Sequence, residues 1–524
     1  MEPCCIRYGE VPGSTRLFLD FAYHFERVAG FYSHHYLGEE ACAAAAAQVR
    51  YPEDRRQALI AALRPLNGES QQLARLAMPG TLAVVTGQQV GLFGGPIYTI
   101  YKALTAARLA ERLGEAGIPA VPVFWLATED HDFEEISHCW VFDEATQPRM
   151  LRAPADSGHC PAGLVAPEAY PAAELAELLR DFPFRNEVMD LVGSSYRPGR
   201  TMGEAFLGLV RPLLDRYGFL YIDPMQPEVR RLASPLLEET ARRGEELTAL
   251  LLDRNRRLEE AGYHAQVHFE ATNSLLFLLA GGRRVPLRRR VGTYEGETGI
   301  YSPGELAAQK EQLSPNAVLR PVMQDYLLPT VAQVAGPAEL AYLAQSQALY
   351  QALLGRAPVV QPRNGFTLLE KRAAKLVDKY GLDYRCFLRG PEAVRQGISQ
   401  RLIPPELHQT LFSAQEGFQT ILDATQRALR AFDPTLERAA GRSRAKIQHQ
   451  LSRLQSKAER EALRRDRRAG ADAAYLNGLL YPNQHLQERV YSILPFLARH
   501  GLELIDHISR HIRLDCPDHV VLPI

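Results

Sequence analysis

The chain has 524 residues, of which 46% are hydrophobic and 23% charged, the balance of an ordinary soluble globular protein with two or three domains. Lys and Arg number 60 against 61 Asp and Glu, a net charge of −1, which excludes a protein built as a whole around a polyanion. Seven scattered cysteines without a CxxC pair predict neither a structural zinc site nor a disulfide framework.

The amino-terminal sequence MEPCCIRYGE lacks a basic region followed by an apolar core, so it does not have the pattern of a signal peptide. No stretch approaches the roughly 18 apolar residues of a membrane-spanning helix. We therefore expect a cytoplasmic protein without a membrane partner.

The first 80 residues predict a helical segment. They are rich in Ala and Leu, and prolines at Pro52, Pro65 and Pro79 are expected to break the helices. Regular alternation between strands and helices is expected only after this segment.

The next segment predicts the first unit of a parallel sheet. Residues 81–87 (TLAVVTG) and 119–127 (PAVPVFWLA) are apolar runs typical of buried strands. The helix between them is expected to have Pro96 in its first turn and Gly114 or Gly117 near its end. A strand, a helix and a strand in this order form a βαβ unit with parallel strands.

Three later segments are strand-like and are expected to extend that sheet. They are residues 217–223, 275–282 and 357–363, and the first of them follows a helix that starts near Thr201. The fold class predicted is therefore α/β, with a parallel sheet at its core.

A long helical arm is predicted from residue 403 onwards. Asp433 and Pro434 interrupt it, with Asp as the N-cap of a second helix and Pro at its first position. The second helix has its own apolar stripe of Ile447, Leu451, Leu454 and Ala458. The two helices predict a hairpin, or an arm that pairs with a second copy to form a homodimer. The first helix shows a heptad seam of Leu411, Ala414, Phe418, Ile421, Thr425, Ala428 and Phe432.

The arm is also basic. From Glu437 to Arg468 it carries eleven Lys or Arg against four acids. Interleaved aromatic residues and a nucleic-acid-binding signature are both missing, so we interpret this charge as the solvated face of a coiled coil and expect no nucleic-acid partner.

Two segments without a sustained period predict insertions, residues 145–200 and residues 284–316. We therefore divide the chain into a core over residues 1–390 that contains both insertions, an arm over residues 391–475, and a helical segment over residues 476–524 that returns to the core.

A glycine-rich loop follows the first predicted strand and precedes a helix. Glycines let backbone approach a ligand, and the start of a helix offers unpaired N–H groups to an anion such as phosphate. The spacing GxxxGxxGG matches neither the dinucleotide fingerprint nor the phosphate loop, so a structural turn is the alternative. The glycines are Gly87, Gly91, Gly94 and Gly95.

Polar side chains at this loop are candidates for binding a substrate or nucleotide. Within the TGQQ segment, Thr86 to Gln89, the amides of Gln88 and Gln89 could bind a sugar, a carboxylate or an amino group, or only cap the turn. Tyr98 and Lys102 share a helix face away from the apolar stripe, where Lys102 could bind phosphate or be a solvated charge.

Titratable residues follow the second strand directly, in the order Glu129, Asp130, His131 and Asp132. We interpret His131 as a general base for an amine or thiol, oriented by Asp130 or Asp132, with Glu129 and Lys102 also catalytic. The same carboxylates could hold magnesium, or the loop could merely cap the next helix. No paired ligand spacing supports zinc.

Three later polar clusters interrupt apolar sequence. They contribute Arg320, Gln324 and Asp325, then Glu339 behind a Gly-Pro pair, and then Arg363 just after a strand. Each could be an ordinary turn. Together they are expected to line one sheet edge with the TGQQ and EDHD loops, because consecutive strands of a right-handed βαβ unit have their carboxyl ends on one side.

At TGQQVGLFGGPIYTIYKA, FWLATEDHDFEE, LRPVMQDYLLPT, VAGPAELAYLAQ and YPNQHLQERVYS the chain resembles the bacillithiol-biosynthesis family of cysteine-adding ligases. The resemblance implies a Rossmann-type core with connecting inserts, a coiled-coil domain used for dimerisation, and a cytoplasmic enzyme. It also implies a reaction, the addition of cysteine to the amine of glucosaminyl malate with formation of an amide.

The layout is also similar to class I cysteinyl-tRNA synthetases and to the mycothiol cysteine ligase. GGPIY stands in the place of their HIGH-type motif without its histidine pair, and LLEKRAAK in the place of their KMSKS-type loop. This similarity implies that an adenine nucleotide, ATP or ADP, can bind, and it leaves a metal open. The alternatives are another Rossmann-type nucleotidyltransferase and a coiled-coil scaffold that binds nucleotide.

Overall fold

The computed structural model describes residues 2–155 and 157–524. These residues form four sheets. The strands are β1 (Cys4–Ile6), β2 (Leu82–Gln88), β3 (Ala120–Leu126), β4 (His138–Phe142), β5 (Pro148–Arg152), β6 (Leu220–Ile222), β7 (Asn273–Ala280), β8 (Arg283–Arg290), β9 (Thr293–Gly296), β10 (Gly299–Tyr301), β11 (Leu313–Pro315), β12 (Thr330–Ala335), β13 (Val359–Pro362), β14 (Gly365–Leu369) and β15 (His519–Pro523).

Helices cover the sheets and form the arm. Among the described residues, none of them is both long enough and apolar enough to cross a membrane. They are α1 (Arg16–Tyr23), α2 (Glu39–Gln48), α3 (Glu53–Asn67), α4 (Gln71–Ala77), α5 (Tyr98–Glu115), α6 (Phe133–Ile136), α7 (Ala172–Leu178), α8 (Arg185–Ser195), α9 (Met202–Leu214), α10 (Pro227–Arg242), α11 (Gly244–Glu260), α12 (Pro303–Ala308), α13 (Arg320–Leu327), α14 (Pro337–Leu354), α15 (Lys371–Tyr380), α16 (Arg385–Leu388), α17 (Pro391–Leu402), α18 (Pro405–Phe432), α19 (Glu437–Arg465), α20 (Arg467–Leu480), α21 (Gln487–Val490), α22 (Leu494–His500) and α23 (Leu504–Ser509).

The predicted parallel sheet is confirmed. Its strand order is β13-β12-β2-β3-β6, and every neighbouring pair is parallel. From β2 the chain continues to β3 and β6 on one side, and only later adds β12 and β13 on the other side. The strand order therefore reverses between β2 and β12, which is where ligands bind in open α/β sheets.

Apolar runs explain why the central strands form where they do. Strand β3 is buried along its whole length, and its Phe124 and Trp125 belong to the core. Helix α5 packs Tyr101 and Leu104 against the sheet, as its period predicts. The predicted helix near Thr201 is also confirmed, because Thr201 begins a capping box at the start of α9.

The prediction that residues 275–282 extend the parallel sheet is wrong. They lie in β7, which belongs to an antiparallel sheet of order β10-β9-β8-β7-β11. Strand β7 connects to β8 through the pair Gly281 and Gly282, both in the left-handed region, so a tight hairpin forms where a crossover helix would be needed for parallel pairing.

Several elements differ from the pattern of the sequence. Pro65 does not break a helix, because it lies inside α3, and the first 80 residues include a strand, β1. Strand β12 is a central strand that was not predicted; it is only six residues long and carries Thr330 and Gln333, which are buried polar side chains. Short strands with polar residues have weak periodicity, and partners distant in sequence decide whether they form.

A small sheet joins the two ends of the chain to its middle. Strand β15 pairs antiparallel with β1 and parallel with β14. Beside it, Arg363 and Glu488 form a buried ion pair with Nη1–Oε2 at 3.0 Å and Nη2–Oε1 at 2.6 Å. Glu488 also accepts a hydrogen bond from the backbone N–H of Phe366 at 3.0 Å, which anchors the carboxyl-terminal segment to β14.

The two predicted arm helices are confirmed as α18 and α19, which pack as a hairpin. Polar contacts line the hairpin, among them Gln448 Nε2 to Gln419 Oε1 at 3.0 Å and Arg444 to Asp423 at 2.7 Å. The predicted heptad seam of α18 lies on a face of the helix next to the one that packs against α19. Its side chains are therefore left exposed, with Ile421 61% exposed and Phe432 84% exposed.

The buried ion pair generates a stability prediction. Changing Glu488 to Ala leaves the Arg363 guanidinium buried without its counter-charge, which should lower the free energy of unfolding by about 3–5 kcal/mol. Urea denaturation followed by circular dichroism measures this loss. The control is Glu259→Ala, which removes an exposed carboxylate from α11 and should change stability by less than about 0.5 kcal/mol. Equal stability of the two variants would contradict the anchoring role of Glu488.

Candidate functional site

A polar crevice lies where the strand order of the parallel sheet reverses. It encloses about 280 Å³ between the carboxyl ends of β2 and β12. Because these strands diverge to opposite halves of the sheet, their loops separate and leave the space open. Its polar lining comes from Gln88, Gln89, Tyr98, Lys102, Glu135, Arg320, Gln324, Gln333, Glu339, Tyr342, Arg363 and Arg489.

Lys102 lies at the floor of this crevice and is only 1% exposed. Its ammonium group donates to Glu339 Oε1 at 2.7 Å, to Gln88 Oε1 at 3.3 Å and to the carbonyl of Gly87. Burial lowers the pKa of Lys102, while Glu339 opposes this shift. The interpretation of Lys102 as a solvated charge is therefore wrong, because its position on α5 faces the crevice and not bulk water.

Gly87 and Glu339 are positioned for Lys102 by their own packing. A Cβ atom on Gly87 would lie 3.0 Å from Cβ of Trp125, so glycine allows β2 and β3 to approach closely at this point. Glu339 lies in the first turn of α14, where Oε2 accepts from the backbone N–H of Gly336 at 2.7 Å. One carboxylate thus caps a helix and neutralises a buried lysine.

The TGQQ and EDHD loops meet, as the βαβ geometry predicts. Gln89 Nε2 donates to Glu135 Oε2 at 2.7 Å and to Asp130 Oδ2 at 3.2 Å. Gln88 lies within 3.5 Å of the Tyr98 hydroxyl. The amides therefore connect the glycine loop to the acidic loop across the mouth of the crevice.

Asp130 lies between two guanidinium groups. Arg284 Nη1 is 3.6 Å and Arg320 Nη1 is 3.9 Å from its carboxylate oxygens. Burial by itself would raise the pKa of Asp130, but Arg320 and Arg284 outweigh burial, and the pKa of this carboxyl lies below its usual value. Asp130 is therefore an anion that binds two arginines, an arrangement that disfavours a divalent cation at the same oxygens.

His131 is held by Arg284 and not by the predicted carboxylates. Arg284 Nη1 is 2.9 Å from His131 Nδ1, whereas Asp130 Oδ1 is 3.7 Å from the same atom. Asp132 instead caps α6, accepting from the backbone N–H of Glu135 at 3.2 Å. The prediction that Asp130 or Asp132 orients His131 is therefore wrong, because the antiparallel sheet brings an arginine closer.

Glu129 is a buried carboxyl at the end of β3. Its Oε2 accepts from Ser314 Oγ at 3.2 Å, and its Oε1 has no hydrogen-bond partner among the described residues. Burial raises the pKa of Glu129, although Arg284 and Arg320 oppose this shift. The carboxyl group of Glu129 therefore holds its proton more strongly than a carboxyl group in water does.

Four predicted binding residues lie away from the crevice. Gly94 and Gly95 form a turn with φ of +85° and +65°, which favours glycine, and their N–H groups already donate to Gly91 and Leu92 carbonyls. Asp325 faces the Tyr350 hydroxyl in the core, and Thr86 Oγ1 donates to the carbonyl of Val334 at 3.3 Å. Their side chains or N–H groups are used inside the fold and are not offered to a ligand.

The glycine turn does not fit a phosphate group. Besides the bonds within the turn, the N–H of Gly94 lies 3.2 Å from the Tyr196 hydroxyl, and the N–H of Ile97 donates to the carbonyl of Tyr491 at 2.7 Å. Few free N–H donors therefore remain for an anion at this helix start. Binding of ATP or ADP stays a prediction of the resemblance. Among the described residues, no group of three His, Cys, Asp or Glu side chains could hold a metal ion.

Two functional candidates come from segments that sequence reasoning missed. Arg284 comes from the β8 strand of a predicted insertion, where five of eight residues are arginine and Arg284 is the buried one of the five. Arg489 lies on α21 and is exposed at the crevice beside Arg363, within the YPNQHLQERVYS motif. The sequence does not distinguish Arg284 from the other arginines of β8, whereas the motif itself was an available signal for Arg489.

The fold and the crevice define the class of protein. It is an α/β protein with a Rossmann-like parallel sheet, a polar crevice that suits a small charged ligand, and a coiled-coil hairpin. Family comparison agrees with the Rossmann-like sheet and with the coiled-coil hairpin. Residues 1–364 match the family model for the bacillithiol biosynthesis BshC N-terminal Rossmann-like domain, and residues 366–523 match that for its C-terminal coiled-coil domain.

Relatives match along the whole chain. Proteins named "Putative cysteine ligase BshC" are 49% identical over 522 residues in Solibacter usitatus and 36% identical over 538 residues in Koribacter versatilis, with 100% of each chain covered. A protein of the same name from Bacillus cereus is 28% identical over 84% of both chains. The chain belongs to the bacillithiol biosynthesis BshC family, and this membership does not favour the alternatives of an unrelated nucleotidyltransferase or a scaffold.

The buried carboxyl of Glu129 generates a prediction about pH. A raised pKa means that the folded state holds a proton where the unfolded state has lost it, so stability falls as pH rises through this window. Glu129→Gln cannot ionise. It should therefore unfold at a higher temperature than the parent at neutral pH, and the difference should shrink as pH falls toward about 4.3, the ordinary value for Glu.

Thermal unfolding over a pH series measures this difference. The matched control is Glu134→Gln, which neutralises an exposed carboxylate on the neighbouring helix α6, whose ion pair among the described residues is with Arg152. This control should show little change at any pH in the series. A Glu129→Gln protein that is less stable than the parent at neutral pH would show that the ionised form is favoured in the folded state.

Proposed function

We propose that this protein is a cysteine ligase of bacillithiol biosynthesis that joins cysteine to the amine of glucosaminyl malate through an amide bond. The observation that carries the proposal is the match to relatives of that name over the entire chain, including every segment that builds the crevice. The substrates themselves are part of the proposal.

The charges of the crevice support these substrates. Glucosaminyl malate carries two carboxylates and an amine, and cysteine carries a carboxylate and an ammonium group. Arg320 and Arg489 offer guanidinium groups, which bind carboxylates with two parallel hydrogen bonds. Glu135 at the mouth offers an acceptor for an amine. Arg363 is already engaged by Glu488, so we assign it to holding the crevice wall and to stacking near the Tyr98 ring, 5.2 Å away.

Amide formation from a free carboxylic acid is uphill in water, so the carboxyl group of cysteine must be activated. The crevice is a concave site at the carboxyl ends of β2 and β12, where an activated carboxyl would be partly shielded from water, which limits its hydrolysis. The residues that line the crevice bind and orient the reactants.

We also place the protein in the cytoplasm. All seven cysteines are free thiols, and three of them, Cys5, Cys4 and Cys516, lie near the chain ends without forming a disulfide. Free thiols in this number are typical of a reducing compartment, which is also where a cysteine substrate keeps its thiol.

The acidic loop generates the test of the proposed reaction. His131→Ala, or Asp130→Asn combined with Asp132→Asn, should lower bacillithiol formation by about 100-fold or more, because these changes remove the histidine and the anion that binds Arg284 and Arg320. The measurement is formation of the cysteine adduct from glucosaminyl malate by the purified protein, together with thiol profiling of a deletion strain that carries each variant.

The matched control is Asp132→Asn alone. Asn accepts the same capping hydrogen bond, so this variant should keep its activity and change stability by less than about 0.5 kcal/mol. Circular dichroism should show an intact fold in all of the variants. Thiol production at the level of the parent protein in both His131→Ala and the double substitution would remove the catalytic assignment of this loop.

We further propose that the protein is a homodimer that pairs through the arm. The seam on α18 is the support for this proposal, since Phe418 is 42% exposed and continues the exposed stripe of Ile421 and Phe432. Monomeric proteins rarely expose a continuous apolar stripe. Burying each Leu, Ile or Phe side chain is worth roughly 1.5–3 kcal/mol, so several together can outweigh the cost of association.

Charged substitutions in the seam test this dimer. Phe418→Asp combined with Ile421→Asp should yield monomers with an intact core, measured by light scattering coupled to size exclusion. Thr420→Asp adds the same charge on another exposed face of α18 and should leave the dimer unchanged. A protein that lacks residues 405–465 and still sediments as a dimer would place the interface elsewhere.

A further inference from the structure

Arg284 reaches His131 from a different sheet and is fixed on every side. It lies on β8, and its side chain is 6% exposed. Nη1 donates to His131 Nδ1 at 2.9 Å, Nε donates to Ser314 Oγ at 3.1 Å, and Nη2 donates to the carbonyl of Pro315 at 2.6 Å. The ring of Phe277 lies 3.8 Å from the guanidinium carbon. The guanidinium group therefore has one orientation.

Ser314 connects this arginine to the parallel sheet. Its hydroxyl accepts from Arg284 Nε and donates to Glu129 Oε2 at 3.2 Å. The backbone N–H of Arg284 also donates to the carbonyl of His159 at 2.9 Å, which fixes β8 against the loop beside His131. The hydrogen bonds thus run from Glu129, at the end of β3, through Ser314 and Arg284 to His131.

The direction of the last hydrogen bond decides which ring nitrogen of His131 carries the proton. A guanidinium group only donates hydrogen bonds, so Nδ1 must accept and has no proton. A neutral imidazole then carries its proton on Nε2. Burial and the charge of Arg284 lower the pKa of His131, against the opposing effect of Asp130, and this favours the neutral ring. The other groups that act on the ring are His159, whose charge would also oppose protonation, and Asp132, which would favour it.

The second ring nitrogen is available to a ligand. Within residues 2–155 and 157–524, Nε2 of His131 makes no hydrogen bond, and the side chain is 31% exposed. Nδ1 is the acceptor of the ring and already accepts from Arg284. The ring can therefore donate a hydrogen bond to a ligand through Nε2–H but cannot accept one.

We propose that Arg284 is a positioning residue that fixes His131 as the Nε2–H tautomer, so that His131 donates a hydrogen bond to a substrate oxygen that carries or gains negative charge. This inference rests on the proposed function for the identity of that oxygen, which would belong to the cysteine carboxyl group. It replaces the general-base role that the sequence predicts for His131. A hydrogen-bond donor of this kind stabilises negative charge as it develops on an oxygen atom.

The tautomer can be measured directly in the unmodified protein. The full-length chain is labelled with ¹⁵N-histidine, and the signals of His131 are assigned as those missing from a His131→Gln protein. At neutral pH we expect a pyridine-type Nδ1 and a pyrrole-type Nε2. A proton on Nδ1, or a doubly protonated ring at neutral pH, would overturn the inference.

Arginine variants test the source of the tautomer. Arg284→Met should raise the pKa of His131 and allow both tautomers, because it removes the donor and its charge. Arg283→Met removes an exposed arginine next to it in sequence that binds Glu297 and the carbonyl of Gly158, so the His131 signals should stay unchanged. Unchanged His131 signals in Arg284→Met would also overturn the inference. The measurement on the unmodified chain remains decisive if Arg284→Met does not fold.

Activity separates a donor from a base. The amide nitrogen of Gln reaches the place of Nε2, whereas that of Asn reaches the place of Nδ1. His131→Ala should lower kcat by about 10²–10³, and His131→Gln should recover at least about tenfold of this loss while His131→Asn does not. Equal activity of the Gln and Ala variants would contradict a donor role. If the unmodified protein forms no cysteine adduct, the proposed function fails while the tautomer result stands, so the two failures are distinguishable.

Discussion

The buried ammonium group of Lys102 connects the two halves of the parallel sheet at the point where the strand order reverses. Removing a lysine charge from water is costly, and Lys102 is tolerated only because three acceptors surround it. Two of them come from the end of β2, and the third, Glu339, comes from the helix that follows β12. Since the two halves of the sheet diverge here, this contact defines the width of the crevice and the position of the loops around it.

The crevice and the acidic loop beside it depend on all three of the larger sheets. The parallel sheet supplies the TGQQ and EDHD loops, the antiparallel sheet supplies Arg284, and the small sheet holds Arg363 through Glu488. Each extra sheet therefore has a role at the site. An insertion into a βαβ core is tolerated at loops, and here the insertion returns to the carboxyl end of β3, where its buried arginine meets the acidic loop.

Charged side chains at the site fall into two physical groups. Lys102 and Arg363 are buried and matched by carboxylates, so their charges are satisfied within the fold. Arg489 is exposed and lines the crevice, and Arg320 lies 3.9 Å from Asp130 with part of its surface open. Arg489 and Arg320 can exchange a protein partner or water for a ligand at low cost in free energy. The buried Lys102 and Arg363 cannot, because a lost partner would leave a buried charge unpaired. Under the proposed function, recognition of a charged substrate falls to Arg489 and Arg320, and the buried pairs keep the walls in place.

The sequence by itself determined the helices and strands whose formation depends on residues close together in the chain. Apolar runs and turn residues predicted β2, α5 and β3, and the handedness of a βαβ unit then placed Gln89 beside Asp130. The heptad period predicted both arm helices. Only the tertiary structure decided which partners meet across long separations, such as Lys102 with Glu339, 237 residues apart, and His131 with Arg284, 153 residues apart. The tertiary structure also decided that the seam of α18 lies outside its contact with α19. Two neighbouring faces of one helix repeat with the same period, so the sequence period does not show which face packs against the partner helix.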